Sequence, residues 1–381
     1  MLRLASLALL LCLSTGCSLF NRVRLETVAT SFQKPSNVAV YVAVTDSGKP
    51  VTDLEPESFK IYENEQLLAA DDTQQLLLPK ELAVYHHTLL LVDIGGDGSS
   101  AEPLSRAVAS FVETARATQP VSVFAFDGGP NLHSVGEFGR SGSGASVDLR
   151  ALAKMASGDT SRNLNGALLS ALKELDARLA AQPKRVRVGT LVVFTRGADL
   201  AGRSSRVDVD RALDGSDAQV IALGPQGLEG GTLEAIGKNG VVRTQGEDGL
   251  GVAFEEAAGK ARDLYQNHYL IAYCSPARAG MRRLKVEVRF RDLEQGEDKA
   301  ASFTQDFDAT GFGPGCRSET VPRFVPQVAR KSDGYTAPKS SGASTGSGSG
   351  LDTGAAPRVD TAAPSDDDSV APPPDKPGYS H

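Results

Sequence analysis

The chain has 381 residues, a net charge of −7, no tryptophan and only 6% aromatic residues. This length allows one large domain or two modest ones. The mildly acidic balance and the lack of a basic patch with interleaved aromatic residues argue against nucleic acid as a partner, and the scarcity of aromatic rings argues against a sugar-stacking groove.

Residues 1–16 are predicted to be a secretory signal peptide, because Arg3 precedes an apolar run, residues 4–13, that is too short to span a bilayer. The sequence LSTGC that ends at Cys17 resembles a bacterial lipobox, with serine at a position where leucine is usual. The resemblance implies cleavage before Cys17 and lipidation of this cysteine, which would attach the protein to a membrane. Ser18 is not the aspartate associated with inner-membrane retention, which favours the outer membrane. The alternative is a plain secreted protein with the same leader.

Two cysteines, Cys274 and Cys316, remain after Cys12 leaves with the leader and Cys17 carries the lipid. Their separation is far from the C-x-x-C spacing of a redox or metal pair. In an oxidising compartment we predict a structural disulfide between them. The alternative is two isolated buried thiols.

The first ordered part is expected at residues 36–82, after a lipid anchor and spacer at residues 17–35. Residues 37–45 place four valines on one face of a strand, and residues 57–63 alternate apolar and polar side chains. Residues 268–317 contain further strands, of which residues 283–291 alternate most clearly. The two segments predict a β module that is interrupted by the residues between them.

Residues 83–267 alternate between apolar strands and amphipathic helices. The predicted strands are residues 88–94, 121–126, 190–195 and 219–224, and the predicted helices are residues 104–115, 164–179 and 250–266. Continuous apolar strands between helices of this length predict a doubly wound, mostly parallel sheet. The last segment, residues 318–381, becomes rich in Ser, Gly, Pro and Asp from Ser332 onwards, which predicts a disordered tail.

The order of these segments resembles a von Willebrand factor type A (vWA) domain over residues 83–267. The resemblance is carried by the buried strand that ends in Asp93, the VSVFAFDG strand, the helix start at Asn163-Leu164, the LVVFTRGAD strand end and the VIALG strand. The flanking stretches VTDSGKPVTDLEPESFKIYE and ARDLYQNHYLIAY resemble bacterial surface vWA proteins with strands on both sides of the domain. The resemblance implies a Rossmann-like α/β domain inserted in a small, discontinuous β-sandwich.

vWA domains carry a metal-ion-dependent adhesion site, built from a D-x-S-x-S loop, a threonine and an aspartate at the carboxyl ends of the strands. Here Asp93 is kept, but Gly95 and Asp97 replace the two serines. Arg162 stands where the threonine falls, and Arg196 stands where the family has its aspartate. We therefore predict a degenerate, metal-free site in which Arg196, with Arg162 as a second candidate, occupies the metal's place and pairs with Asp93 and Asp97.

The alternative for this site is that Asp93, Asp97, Asp159 and Thr160 rebuild a metal site. The five histidines show no metal-ligand spacing and there is no Walker A loop, so we expect no cofactor and no enzymatic activity. The Gly-rich residues 136–145 are either a contact surface or an ordinary flexible loop.

Taken with the leader, these features predict a lipid-anchored envelope protein of the outer membrane. It would act as a non-enzymatic protein-interaction module on an unidentified envelope or surface protein. The alternatives are a metal-dependent adhesin and an envelope enzyme of unknown chemistry.

Overall fold

The computed structural model describes residues 23–324 except 97, 142–146, 156, 183–185, 229–230, 247 and 293–295. The predicted signal peptide, Cys17, Asp97 and residues 325–381 of the predicted tail lie outside the described residues. The strands in chain order are β1 (Val23–Gln33), β2 (Asn37–Asp46), β3 (Lys49–Pro50), β4 (Phe59–Glu63), β5 (Gln66–Leu67), β6 (Leu76–Leu78), β7 (Val84–Asp93), β8 (Val121–Phe126), β9 (His133–Phe138), β10 (Val186–Phe194), β11 (Gln219–Pro225), β12 (Gly240–Thr244), β13 (His268–Cys274), β14 (Met281–Arg291) and β15 (Asp298–Asp308). The helices are α1 (Ala101–Ala115), α2 (Arg150–Lys154), α3 (Leu164–Ala180), α4 (Arg206–Asp214), α5 (Thr232–Ile236) and α6 (Leu250–Gln266).

A six-stranded sheet with the order β12-β11-β10-β7-β8-β9 lies at the centre of residues 83–267. The first five strands are parallel, and only β9 runs antiparallel to its neighbour β8. Leu90 and Val92 of β7 pack with α1 and α6, whereas Leu89 and Leu91 pack with α3 and α4 on the other face. The continuous apolar runs are therefore buried on both faces, as expected for central parallel strands.

The remaining strands form a β-sandwich from residues on both sides of this α/β part. One sheet has the order β1-β2-β13-β6 with β3 beside β2, and the second has the order β15-β14-β4-β5. The four valines predicted to share one face of β2 point into the core between the sheets, where Ile61 of β4 and Val286 of β14 also lie. The α/β part is thus inserted into one module, as the flanking patterns predicted.

The predicted spacer at residues 17–35 is corrected by β1. This strand pairs antiparallel with β2 along its length, from Val23 opposite Asp46 to Gln33 opposite Asn37. The prediction failed because the apolar residues of VRLETVATSFQ are small or spaced irregularly, and a bulge interrupts the register between Thr27 and Ala29. Pairing with a fully buried neighbour stabilises a strand that its own pattern does not reveal.

The predicted tail also begins later than residue 318. Ser31 donates a hydrogen bond of 3.1 Å to the carbonyl of Arg323, and Phe324 is buried beside the sheet of β1 and β2. The chain is therefore packed at least to Phe324. A single buried aromatic residue in a polar stretch is a weak signal, which is why composition alone placed the boundary too early.

The predicted disulfide between Cys274 and Cys316 is confirmed. It joins the end of β13 to the segment after β15, with the two Cα atoms 5.8 Å apart. The predicted Gly-rich loop, in contrast, starts inside β9, whose last residue Phe138 is buried in the core. In the described part of the chain, no helix is both long enough and apolar enough to cross a membrane.

Candidate functional site

Asp93 is the fully buried centre of the candidate site. It ends β7, next to the end of β10, and the carboxyl ends of parallel strands meet at one edge of the sheet. Its Oδ1 accepts a hydrogen bond of 2.9 Å from the backbone N–H of Gly95, and its Oδ2 accepts one of 2.9 Å from the backbone N–H of Arg196. Thr195 Oγ1 lies 3.4 Å from the same Oδ2. Both carboxylate oxygens therefore already face donors of the protein.

Arg162 supplies the guanidinium that lies nearest to this carboxylate. Its Nε is 3.4 Å from Asp93 Oδ2, and only 19% of the side chain is exposed. Among the described residues this Nε has no hydrogen-bond partner, so the contact is an ion pair whose atoms are not aligned for a hydrogen bond. Asn163 follows directly and caps α3 by accepting from the N–H of Gly166, which fixes the position of Arg162 before the helix.

Arg196 holds the backbone of the first loop rather than the carboxylate. Its Nη1 donates to the carbonyl of Asp93 at 2.6 Å and lies 3.4 Å from the carbonyl of Gly95. The guanidinium carbon is 5.4 Å from the centre of the Phe194 ring. We predicted that the arginine at 196 pairs with the acidic side chains. In the structure Arg196 reaches the carboxylate of Asp93 through its backbone N–H, its guanidinium binds the carbonyls, and the guanidinium of Arg162 lies beside the carboxylate.

Two glycines allow these close approaches. A Cβ atom at Gly95 would lie 2.7 Å from the carbonyl oxygen of Asp159, and one at Gly197 would lie 2.8 Å from Cζ and Nη1 of Arg162. Gly95 supplies no side-chain ligand, and it also lets the loop that contains Asp159 pack against the loop that follows Asp93. Gly197 was not predicted. Its only sequence signal is a small residue beside Arg196 at a strand end.

Burial and the surrounding donors act in opposite directions on the pKa of Asp93. Burial raises the pKa of its carboxyl above the ordinary value, while the N–H groups of Arg196 and Gly95 and the two guanidinium groups oppose this rise. The rise remains in spite of four favourable contacts. The N–H groups and the guanidinium groups therefore offset only part of the cost of burying an ionised carboxylate here.

The oxygen ligands that the described residues offer at this site do not fit a divalent cation. Mg²⁺ requires a near-complete shell of oxygen ligands, whereas Gly95 offers no side-chain oxygen and Arg162 places a cation beside Asp93. Asp159 and Thr160, the other predicted ligands, are exposed, and Asp159 Oδ1 accepts from the N–H of Ser161 at 2.8 Å. No group of three His, Cys, Asp or Glu side chains that could hold a metal occurs within the described residues.

No protein-family model matches the chain, and no curated protein matches it significantly. It is similar to the solved structure of a von Willebrand factor type A protein from Catenulispora acidiphila, at 10% identity and a TM-score of 0.37, over 76% of this chain and 72% of that chain. It is also similar to the ArnB paralog VWA2 from Sulfolobus acidocaldarius, at 10% identity and a TM-score of 0.33, over 75% of each chain. A third structure is the manganese-loaded TRAP protein from Plasmodium vivax, at 12% identity and a TM-score of 0.32, over 66% of this chain and 98% of that chain. Similarities at this level carry no argument about function.

Proposed function

We propose that this chain is a lipid-anchored envelope protein that binds a partner protein through the carboxyl edge of its parallel sheet, without a metal ion. The observation that carries this proposal is the ion pair between Arg162 and the buried Asp93. A vWA-like site that recruits a ligand through a metal needs the aspartate free for that metal. Here the aspartate is engaged by the protein's own cation and N–H groups.

An exposed apolar side chain lies beside this ion pair. Leu200 is 66% exposed, and its N–H donates to the carbonyl of Arg162 at 3.1 Å, which holds it next to the site. A partner protein that covers this edge of the sheet would remove the apolar surface of Leu200 from water. We therefore place the contact surface around Leu200.

One buried polar cluster contains a serine and a histidine but is closed to a substrate. Ser122 and His87 form a short contact, 2.6 Å from Oγ to Nε2, that has the residue types of a nucleophile and its base. Ser122 is fully buried and His87 is 4% exposed, so a substrate cannot reach the hydroxyl. Arg178 and Glu137 bind the same hydroxyl and complete a structural network between α3, β8 and β9.

Melting curves with Mg²⁺ or Mn²⁺ test the metal-free part of the proposal. We expect neither ion to raise the melting temperature of the wild-type protein. A saturable increase that Asp93→Ala abolishes would overturn the proposal and favour the metal-dependent adhesin.

Affinity capture from membrane extracts tests the contact surface. A partner protein captured by the wild type should be lost with Leu200→Asp and kept with Leu67→Asp, which changes a side chain that is 53% exposed on β5 of the β-sandwich. Equal capture by both variants would refute the contact at the sheet edge.

Detergent partitioning tests the anchor. The wild-type protein should enter the detergent phase and Cys17→Ser should remain in the aqueous phase, because the substitution removes the thiol that would carry the lipid. A Cys17→Ser protein that still fractionates entirely with membranes would contradict lipidation at this position.

A further inference from the structure

A buried cluster of aromatic and basic side chains joins the α/β part to the β-sandwich. We call it the junction cluster: Tyr41 of β2, Lys80 of the 3₁₀ turn Lys80–Leu82, His86 of β7, Tyr265 of α6 and His268 of β13. The β-sandwich contributes Tyr41 and His268, and the α/β part contributes His86 and Tyr265. The cluster lies towards the amino ends of the parallel strands, away from Asp93.

His86 is in contact with every other aromatic member of the cluster. Its Nε2 lies 2.6 Å from the hydroxyl of Tyr41. Its ring centre is 4.7 Å from that of Tyr265 and 5.3 Å from that of His268. The rings of Tyr41 and His268 are themselves stacked at 5.3 Å. One imidazole therefore touches three elements from both parts of the protein.

The surroundings of His86 disfavour its protonation, which would add a second positive charge to the cluster. Among the described residues, Nδ1 of His86 has no hydrogen-bond partner although it is buried. Lys80 is already inside the cluster, where its Nζ donates to the carbonyls of Tyr265 at 2.5 Å and His268 at 3.0 Å. The same Nζ lies 4.0 Å from the centre of the Tyr265 ring. A proton on His86 would thus place a second cation beside a buried ammonium.

Glu81, whose carboxylate lies beside the cluster, already has partners. Glu81 accepts a hydrogen bond from the hydroxyl of Tyr265, and its Oε1 is 3.8 Å from Nη2 of Arg140. His268 has one ring nitrogen, Nδ1, 2.8 Å from the carbonyl of Leu264. The charge of Glu81 already acts on Lys80 and Arg140, and the carbonyl of Leu264 carries no charge that could neutralise a protonated histidine.

We propose that the junction cluster is a proton-operated switch: protonation of His86 and His268 opens the contact between the α/β part and the β-sandwich while both parts stay folded. Burial, together with the charge of Lys80, lowers the pKa of His268 to about 4, and burial lowers the pKa of His86 well below its ordinary value of 6.5. Both rings are therefore neutral in the closed junction. In the open form both rings contact water and their pKa values return to about 6.5, so acidification below about pH 6.5 favours the open form.

The size of the effect follows from the pKa of His268. With a pKa of about 4 closed and 6.5 open, lowering the pH to 5.5 favours opening about tenfold for this histidine alone. Lys80, whose pKa burial lowers to about 8, stays mostly protonated throughout this range. Its repulsion therefore acts whenever a histidine gains a proton.

Hydrogen exchange followed by mass spectrometry tests the switch on the intact protein at about pH 7.5 and pH 5.5, with intrinsic rates corrected. Amides in residues 76–86 and 263–271 should exchange at least tenfold faster at the lower pH, while those in residues 190–194 of β10 keep their protection. The variants His86→Gln and His268→Gln should each reduce the acceleration. His133→Gln, which changes a 45% exposed side chain, should leave it unchanged.

Three results would overturn the proposal. The first is unchanged exchange at the junction between the two pH values. The second is equal acceleration in β10, which would indicate acid unfolding of the whole protein. The third is an undiminished acceleration of amide exchange at the junction in a double variant that combines His86→Gln and His268→Gln. If either variant folds poorly, the wild-type comparison of junction and β10 amides still decides between the first two results and the switch.

Discussion

Removing the guanidinium of Arg162 should expose the energetic role of the buried carboxylate. Breaking a buried pair by removing one partner costs about 3–5 kcal/mol. Two features of the site reduce this figure. Asp93 keeps hydrogen bonds from the N–H groups of Gly95 and Arg196, and Arg162 is 19% exposed, so water can replace part of its charge. We therefore expect Arg162→Ala to lower the free energy of unfolding by about 2–3 kcal/mol at neutral pH.

The pH dependence of this loss separates charge from packing. The native pKa of Asp93 is raised, so ionisation of this carboxyl costs stability as the pH rises through that pKa. Without Arg162 the native pKa rises further. The difference between variant and wild type should therefore be smallest at the acidic end of the measured range, where more of the carboxyl is protonated, and should grow as the pH rises.

Urea unfolding followed by far-ultraviolet circular dichroism measures both effects, since the chain lacks tryptophan. Arg150→Ala is the matched control, because Arg150 pairs with Asp148 at 2.6 Å on the surface, with 86% and 52% of the side chains exposed. This control should leave the free energy of unfolding unchanged within error. A loss at Arg162 no larger than in the control, or one independent of pH, would refute the view that this arginine compensates an ionised buried Asp93.

Three further predictions concern other parts of the fold. Gly197→Ala should destabilise the protein, because its Cβ would displace the guanidinium of Arg162. Gly251→Ala, where a Cβ meets nothing within 4 Å, should not destabilise it, and equal effects of the two variants in urea unfolding would contradict this prediction. Cys274→Ser should cost about 4 kcal/mol, since the bond to Cys316 closes a loop of about 42 residues, and a melting temperature that the substitution or a reductant leaves unchanged would argue against this contribution. Burial lowers the pKa of His87 to about 4, so protonation should cost about 2 kcal/mol of stability by pH 5, and His87→Gln should flatten the fall in stability between pH 7 and pH 5; an unchanged slope would show that this histidine is not the titrating group.

Residues whose pattern reflects burial were predictable from the sequence. The runs around Leu90, Phe124 and Val192 are almost continuously apolar because both faces of these strands are covered. β1 and Phe324 were not predictable, because their burial depends on partners far away in the chain rather than on their own periodicity. The local sequence pattern therefore identifies a strand or helix with a regular apolar face of its own. It misses a segment that is buried only by contact with distant parts of the chain.

The site shows the same division between residue types and their contacts. The sequence identified the positions that depart from the vWA pattern, Gly95, Arg162 and Arg196, because a motif compares residue types. It placed Arg196 first as the partner of Asp93 and could not show that the approach of the two loops brings the guanidinium of Arg162 to the carboxylate. That approach depends on Gly197 and on the backbone of Asp159, and neither contact leaves a signal in composition or spacing. Gly95 and Arg162 are therefore coupled in the structure. The glycine brings the second loop close to the first, and this proximity places the arginine 3.4 Å from the carboxylate. Restoring serine at position 95 alone would force the loops apart before it could supply a ligand.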